Sequence, residues 1–339
     1  MNRFEYVSPT SAQQAVALLP TRWGDAEILA GGTDLLGRMK DHVSTPKRVI
    51  NIKQLPGLHA ISAEAGGLRI GALVTLDRIA DSSDVQKNYP ALAQAVAGAA
   101  SPQIRNMATI GGNLCQRPRC WYFRNGMGLL PTMPDGKSLV VEGDNRYHAI
   151  LGNDGPAYFV TPSTIGPMLI AYGARLRIAG PAGSREVPLE NFFRSPRSDA
   201  EREHDLKPNE IVTEVLVPAA KDVRAASYEI RQKASFDWPL ATAAVVLQMS
   251  GATVRSARIV MGAVAPVPWV SKEAAEAITG KAITESTASG AGAAAVSKAR
   301  PLSQNGYKIK LAGIAVKRAL LTAAGQAVPD VRAAKGGAA

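Results

Sequence analysis

The sequence predicts an α+β chain made of two small lobes and a C-terminal antiparallel sheet with helices. Three observations carry this expectation. Strand and helix patterns alternate in short units up to about residue 113. Residues 114–160 then break into an excursion rich in Gly, Pro and Asp. From about residue 210 the texture becomes consecutive period-two runs followed by amphipathic helices.

In chain order, residues 4–7 read as a strand entering the turn at Ser8-Pro9. Residues 11–19 read as a helix, with Ser11 as cap and Ala15, Val16, Leu18 and Leu19 as its apolar stripe. Strands follow at 27–30, 48–52 and 67–72, and helices at 76–80 and 90–99, with Pro90 suited to a first turn. A helix at 163–171, a strand at 175–178 and a hairpin turn at 180–183 lead to a strand at 185–189. Further strands are expected at 211–217, 225–231, 241–249 and 253–261, the last two joined by a turn at Ser250-Gly251. Helices at 272–278 and 313–324 complete the pattern. The expected division is a first lobe, 1–53, and a second lobe, 54–205, with the inserted loop 114–160. A C-terminal domain, 206–325, and a flexible Ala/Gly-rich tail, 326–339, follow. A loop as long as 114–160 inside a compact domain points to function or an interface.

Composition narrows the function. The chain has 339 residues, 46% hydrophobic and 20% charged, as ordinary globular proteins do. It has no run of about 18 apolar residues, so no membrane span is expected. The start, Met1-Asn2-Arg3-Phe4-Glu5-Tyr6-Val7, lacks a signal core. The expected location is the cytoplasm, or the periplasm by folded co-export with a signal-bearing partner. The net charge is +11, yet the basic residues are scattered, with a local concentration only at Arg117, Arg119 and Arg124. Nucleic acid is not expected as a ligand; an anionic cofactor or an acidic partner fits better. Cys115 and Cys120 are too few for a disulfide framework or a conventional iron–sulfur cluster. His42, His59, His148 and His204 are dispersed, so no metal site is expected.

Two glycine pairs stand out: Ala30-Gly31-Gly32-Thr33-Asp34-Leu35-Leu36 and Thr109-Ile110-Gly111-Gly112-Asn113. Glycine admits positive φ and lets main-chain N–H groups approach a ligand. Successive N–H groups facing one concavity form an anion nest, and two nests suit a pyrophosphate cofactor such as FAD. Read singly, Gly31-Gly32 is a strand-to-helix turn and Gly111-Gly112 a bulge. Other signatures fail. Gly290-Ala291-Gly292-Ala293-Ala294-Ala295 follows a helix-like stretch, not a strand, and reads as a small-residue helix surface. Gly136-Lys137-Ser138 lacks the upstream glycine of a P-loop, which is Pro131 here. No Ser-His-Asp set or nucleophile elbow is visible, and no catalytic residue is expected.

Together with Arg105-Asn106-Met107-Ala108 before the second pair and Phe236-Asp237-Trp238-Pro239-Leu240-Ala241 further on, these strings identify a family resemblance. The chain resembles the FAD-binding medium subunit of the xanthine dehydrogenase/carbon monoxide dehydrogenase family of molybdenum hydroxylases, over about residues 1–325. Cys115-Gln116-Arg117-Pro118-Arg119-Cys120 also looks like the flavin subunit of periplasmic aldehyde oxidoreductases.

The resemblance implies a two-lobed vanillyl-alcohol-oxidase-type (PCMH-type) FAD-binding domain and a carbon-monoxide-dehydrogenase-flavoprotein-like C-terminal domain. By matching position, Ala30, Gly31, Gly32, Thr33, Asp34 and Leu35 and then Thr109, Ile110, Gly111, Gly112 and Asn113 would hold the pyrophosphate. Lys233, Asp237 and Ile211 would lie near the flavin or its phosphates. Relatives have Ser-Asp where this chain has Ser163-Thr164, so Thr164 would bond the sugar more weakly. Relatives of the aldehyde-oxidoreductase type carry four cysteines in the loop and a 4Fe–4S cluster; with only Cys115 and Cys120, no cluster is expected. Trp121-Tyr122-Phe123-Arg124 is expected to pack on the flavin edge, on a partner or as a buried aromatic cluster. The implied function is an electron-transfer flavoprotein in a heterotrimer. It would take single electrons from a 2Fe–2S small subunit that serves a molybdenum-cofactor large subunit. A self-contained FAD oxidase and a flavin-free scaffold are the rival readings.

Overall fold

The computed structural model describes residues 1–64, 66–233 and 236–328; most of the expected tail lies outside the described residues. Strands β1 (Glu5–Val7), β2 (Ala26–Leu29) and β3 (Arg48–Asn51) form a parallel sheet in the order β1-β3-β2, with Tyr6 opposite Val49 and Ile28 opposite Ile50. Helix Ala12–Leu18 is capped by the Ser11 side chain, which accepts from the Gln14 amide. It buries Ala15 and Val16 with Ile50, Ile52 and Leu55 to make the first-lobe core.

Strands β4 (Ile61–Glu64), β5 (Gly67–Gly71), β6 (Arg175–Gly180), β7 (Gly183–Pro188) and β8 (Ile211–Pro218) form an antiparallel sheet in the order β4-β5-β8-β6-β7. Strand β8 was expected to open the C-terminal domain after a boundary at 205. It instead occupies the centre of the second-lobe sheet, with Val215 paired to Ile70 on one side and to Leu176 on the other. Its alternation sends Val215 and Val217 into the second-lobe core, while Ile211, at its start, joins the first-lobe core. Local periodicity identifies such a strand but not its partners.

The C-terminal sheet is β9 (Val223–Ile230), β10 (Ala241–Ser250), β11 (Thr253–Gly262) and β12 (Trp269–Val270), ordered β12-β11-β10-β9 and antiparallel throughout. Helices Lys272–Ile278, Glu285–Ala295 and Tyr307–Ala323 cover it, burying Val245, Leu247 and Ile259 against Ala291, Ala315 and Leu320. The Gly290-Ala295 string is indeed helical: Thr284 and Thr287 form a capping box ahead of it. Gly292 abuts the main chain of Gly313, so a side chain there would collide with the neighbouring helix. No helix among the described residues is long and apolar enough to cross a membrane.

The inserted loop is ordered by its own small core of Phe123, Leu129, Leu130, Ala157 and Phe159. It contains the short helices Trp121–Arg124 and Leu139–Glu142, which its Gly and Pro content hid from the sequence.

Candidate functional site

The first glycine pair links β2 to helix Leu35–Lys40. Gly32 has φ +75°, a conformation that disfavours any side chain. Gly31 lies against the Met107 carbonyl, where an added Cβ has no room. Among the described residues, the amides of Gly32, Thr33, Asp34 and Leu35 make no backbone hydrogen bond. This stretch therefore presents a row of uncommitted donors, as the sequence suggested.

The second pair behaves differently. It forms the first turn of helix Ile110–Cys115, not a bulge or an open nest. The Ile110 amide donates to Val74 O (2.9 Å), Gly111 to Ala72 O (3.0 Å) and Asn113 to Thr109 O (2.8 Å). Gly112 donates to Thr109 Oγ1 at 3.1 Å. The expectation of a second free amide row is corrected on this point, because the cap and the β5–helix connection have already used those groups. This stretch offers instead the Thr109 hydroxyl proton and the exposed Gly112, while Gly111 is buried against Ala72.

Both stretches line one cleft, together with Ala30, Ile211 and Arg38, enclosing about 1090 Å3 of space free of protein atoms, solvent mouth included. Of the other expected residues, Ile110 is fully buried. Asn113 accepts from the Ser163 hydroxyl at 2.8 Å. Thr164 and Asp237 line a second cavity rather than this cleft, and Lys233 lines neither. Asp237 binds the amides of Gln232, Lys233 and Trp238 at 3.0–3.1 Å, fixing its own turn.

Asp34 is the hub that the sequence did not reveal. It sits 3.2 Å from Arg38 Nε, 3.2 Å from Arg119 Nη2 and 2.7 Å from Arg124 Nη2. It also accepts from the Arg117 amide at 3.1 Å. Burial pushes its carboxyl up, but the three guanidinium groups prevail and hold it below the ordinary carboxylate range. Burial pulls Arg119 down to about 10, with Arg124 and Arg38 adding like-charge repulsion against the pull of Asp34. The three arginines of the inserted loop thus converge on the first glycine loop, although eighty or so residues separate them. Arg117 is further held by Glu203 at 2.7 Å, and its guanidinium lies 4.8 Å from the Phe123 ring centroid.

The aromatic string packs internally. Trp121 meets Tyr147 and His148 edge-on at 5.5 and 5.6 Å, and Phe123 enters the loop core. Burial pushes the Cys115 thiol up to about 12 and raises that of Cys120, so both are held as thiols. Among the described residues no group of three or more His, Cys, Asp or Glu side chains is placed to hold a metal ion.

The cleft fits FAD. Its uncommitted main-chain donors and its glycines line one concavity, an arrangement that suits a diphosphate.

Comparison with known proteins agrees with this geometry. Residues 2–220 match the FAD binding domain in molybdopterin dehydrogenase, and residues 226–323 the CO dehydrogenase flavoprotein C-terminal domain. The carbon monoxide dehydrogenase medium chain of Hydrogenophaga pseudoflava is 33% identical over 322 residues, covering 94% of this chain and 96% of that one. The aldehyde oxidoreductase FAD-binding subunit PaoB of Escherichia coli K12 is 32% identical over 335 residues, covering 96% and 100%. The solved carbon monoxide dehydrogenase of Hydrogenophaga pseudoflava, in a form lacking the Mo-pyranopterin moiety, superposes with a TM-score of 0.75 at 32% identity, covering 96% and 99%.

Proposed function

The chain belongs to the FAD-binding medium subunits of the carbon monoxide dehydrogenase/xanthine dehydrogenase family, and from that premise we propose that it is the electron-relaying flavoprotein of a molybdenum hydroxylase complex. It works with a molybdenum-cofactor large subunit and a 2Fe–2S small subunit, and passes electrons on to a final acceptor. Its compartment is that of its partners: the cytoplasm, or the periplasm by folded co-export.

The observation that carries this reading is the uncommitted amide row from Gly32 to Leu35, opening into the same cleft as Thr109. When bound, FAD supplies the ability to take electrons singly and release them in pairs. The chain's residues supply the seat. Gly32, Thr33, Asp34 and Leu35 donate main-chain N–H bonds to the diphosphate, each contributing roughly 1.5–3 kcal/mol to a charged acceptor. The Thr109 hydroxyl adds a donor, and Ile211 gives the cleft an apolar wall. Asp34 points its charge at the arginines and so acts as a positioning residue, fixing the loop that carries the amides. No proton transfer by a side chain is required of such a relay. The histidines fit that role: burial lowers both His148 and His204, which keeps them neutral.

The absorbance spectrum of the purified chain tests the proposal. A flavin band at one equivalent, not bleached by small-molecule substrates without the partner subunits, is the expected result. Bleaching by a substrate alone would make the chain an oxidase in its own right. A colourless protein that takes up no FAD would make it a scaffold.

A further inference from the structure

The charges around Asp34 do not balance. Arg38, Arg119 and Arg124 bring three positive charges, while Asp34 and Glu27 bring two negative ones. Arg117 is matched separately by Glu203. One positive charge is left over, and it falls on Arg119. Arg38 is shared between Asp34 and Glu27. Arg124 adds the Pro118 and Arg117 carbonyls to its bond with Asp34. Arg119 has Asp34 at 3.2 Å and the neutral Gln116 Oε1 at 3.2 Å. Among the described residues Asp34 is the one carboxylate that acts on it, and Arg124 and Arg38 repel it. Its buried Nε has no partner among the described residues.

This guanidinium faces the second cavity. Arg119 lines that cavity and not the amide-lined cleft. It lies 5.0 Å from the ring centroid of Trp238 in the same wall. Trp121, Tyr147, Phe159 and Leu240 add aromatic and apolar surface. The other charged groups of this wall are engaged elsewhere. Asp237 accepts from three main-chain amides, and Lys308 donates to the Tyr147, His148 and Ala263 carbonyls at 2.7–3.1 Å. Burial keeps His148 neutral. The wall therefore suits a flat ring, and its uncompensated cation favours negative charge on that ring.

A flavin ring is uncharged when oxidised; two electrons and one proton leave it with one negative charge. We propose that Arg119 raises the reduction potential of this flavoprotein, by favouring the negatively charged ring over the neutral one. The inference rests on the FAD reading. With the diphosphate on the Gly32–Leu35 amides, the ring is the part of the cofactor suited to the aromatic wall. The electrons come singly from the 2Fe–2S small subunit and the proton from solvent. A raised potential makes the flavin the better receiver of those electrons.

The test compares the FAD-loaded chain with its Arg119→Gln and Arg119→Lys variants, by spectroelectrochemical titration of the flavin and by FAD affinity of the oxidised protein. In Arg119→Gln, the affinity for reduced FAD should fall at least tenfold more than that for oxidised FAD. For a two-electron couple this is a midpoint potential lower by about 30 mV or more. Arg119→Lys keeps the charge and should recover most of the shift. Arg119→Met stands in if the Gln variant does not fold. An unchanged potential without the charge overturns the inference. So does an equal loss of affinity in both oxidation states, which would make Arg119 an anchor for the cofactor and not a tuner of it. A Lys variant as low in potential as the Gln variant also overturns it, because shape and not charge would then be responsible. A parent chain that takes up no FAD refutes the flavin reading itself, whereas FAD-loaded variants of unchanged potential refute only the role of Arg119.

Discussion

Gly31 is pressed against the main-chain carbonyl of Met107, in a contact that leaves no space for a Cβ. Met107 ends the helix Pro102–Met107, which feeds directly into Thr109. The two glycine stretches therefore share a wall, and the first cannot move without the second. Replacing Gly31 by Ala forces the main chains apart, at a cost of about 1–3 kcal/mol in an otherwise packed region. The expected outcome is a lower Tm together with reduced flavin retention. Unchanged values of both would show that the contact is not needed.

Asp34 balances Arg38, Arg119 and Arg124 in a mostly buried cluster. Asp34→Asn keeps the shape but leaves three guanidinium groups without their shared anion. Breaking a buried ionic group from one side costs about 3–5 kcal/mol. Urea unfolding is expected to show a loss of that order. Arg124→Gln, which leaves two arginines on Asp34, should lose less.

Burial, helped by the nearby Lys308 charge, lowers His148 to about 4 from its ordinary 6.5. The unfolded chain then binds more protons than the folded one between pH 4 and 6.5, so stability falls as pH drops through that window. The full effect is roughly 3 kcal/mol. Burial also pulls Lys308 down to about 7 from 10.5. By the same sign, its contribution to stability rises as pH climbs from 7 to 10.5. Tm measured against pH for the parent and for His148→Gln should separate below pH 6.5, the variant being less acid-sensitive. Parallel curves would contradict the assignment.

Cys115 and Cys120 are half-buried, and the loss of solvent around their sulfur atoms raises both thiols. Native protein at pH 8 should react slowly with a thiol-specific disulfide reagent, and urea should release two fast equivalents. Rapid native labelling of either cysteine would show an accessible thiolate.

Much of this fold was legible in the sequence because its signals are local. Ser11 caps the first helix, alternation marks β10 and β11, and a glycine pair after a short apolar run marks the strand-to-helix turn at Gly31-Gly32. What escaped was set by distance. The sandwiching of β8 between β5 and β6 depends on partners more than a hundred residues apart on one side and about forty on the other. Asp34 looked like one member of a glycine loop; its role as an arginine hub appears only when residues 117–124 fold back on it. At Gly111-Gly112 the glycines suggested open amides, but the Thr109 cap and the Ala72 and Val74 carbonyls had closed them. Burial of the 114–160 loop on Phe123 and Phe159 was hidden by its turn-rich composition.

The central claim is that the Gly32–Leu35 amides hold a diphosphate. Titrating the flavin-stripped chain with FAD and with riboflavin, which lacks that group, tests it most directly. Three or four charge-assisted hydrogen bonds at roughly 1.5–3 kcal/mol each lead us to expect FAD to bind at least a hundredfold more tightly. Equal affinity for the two would contradict the account.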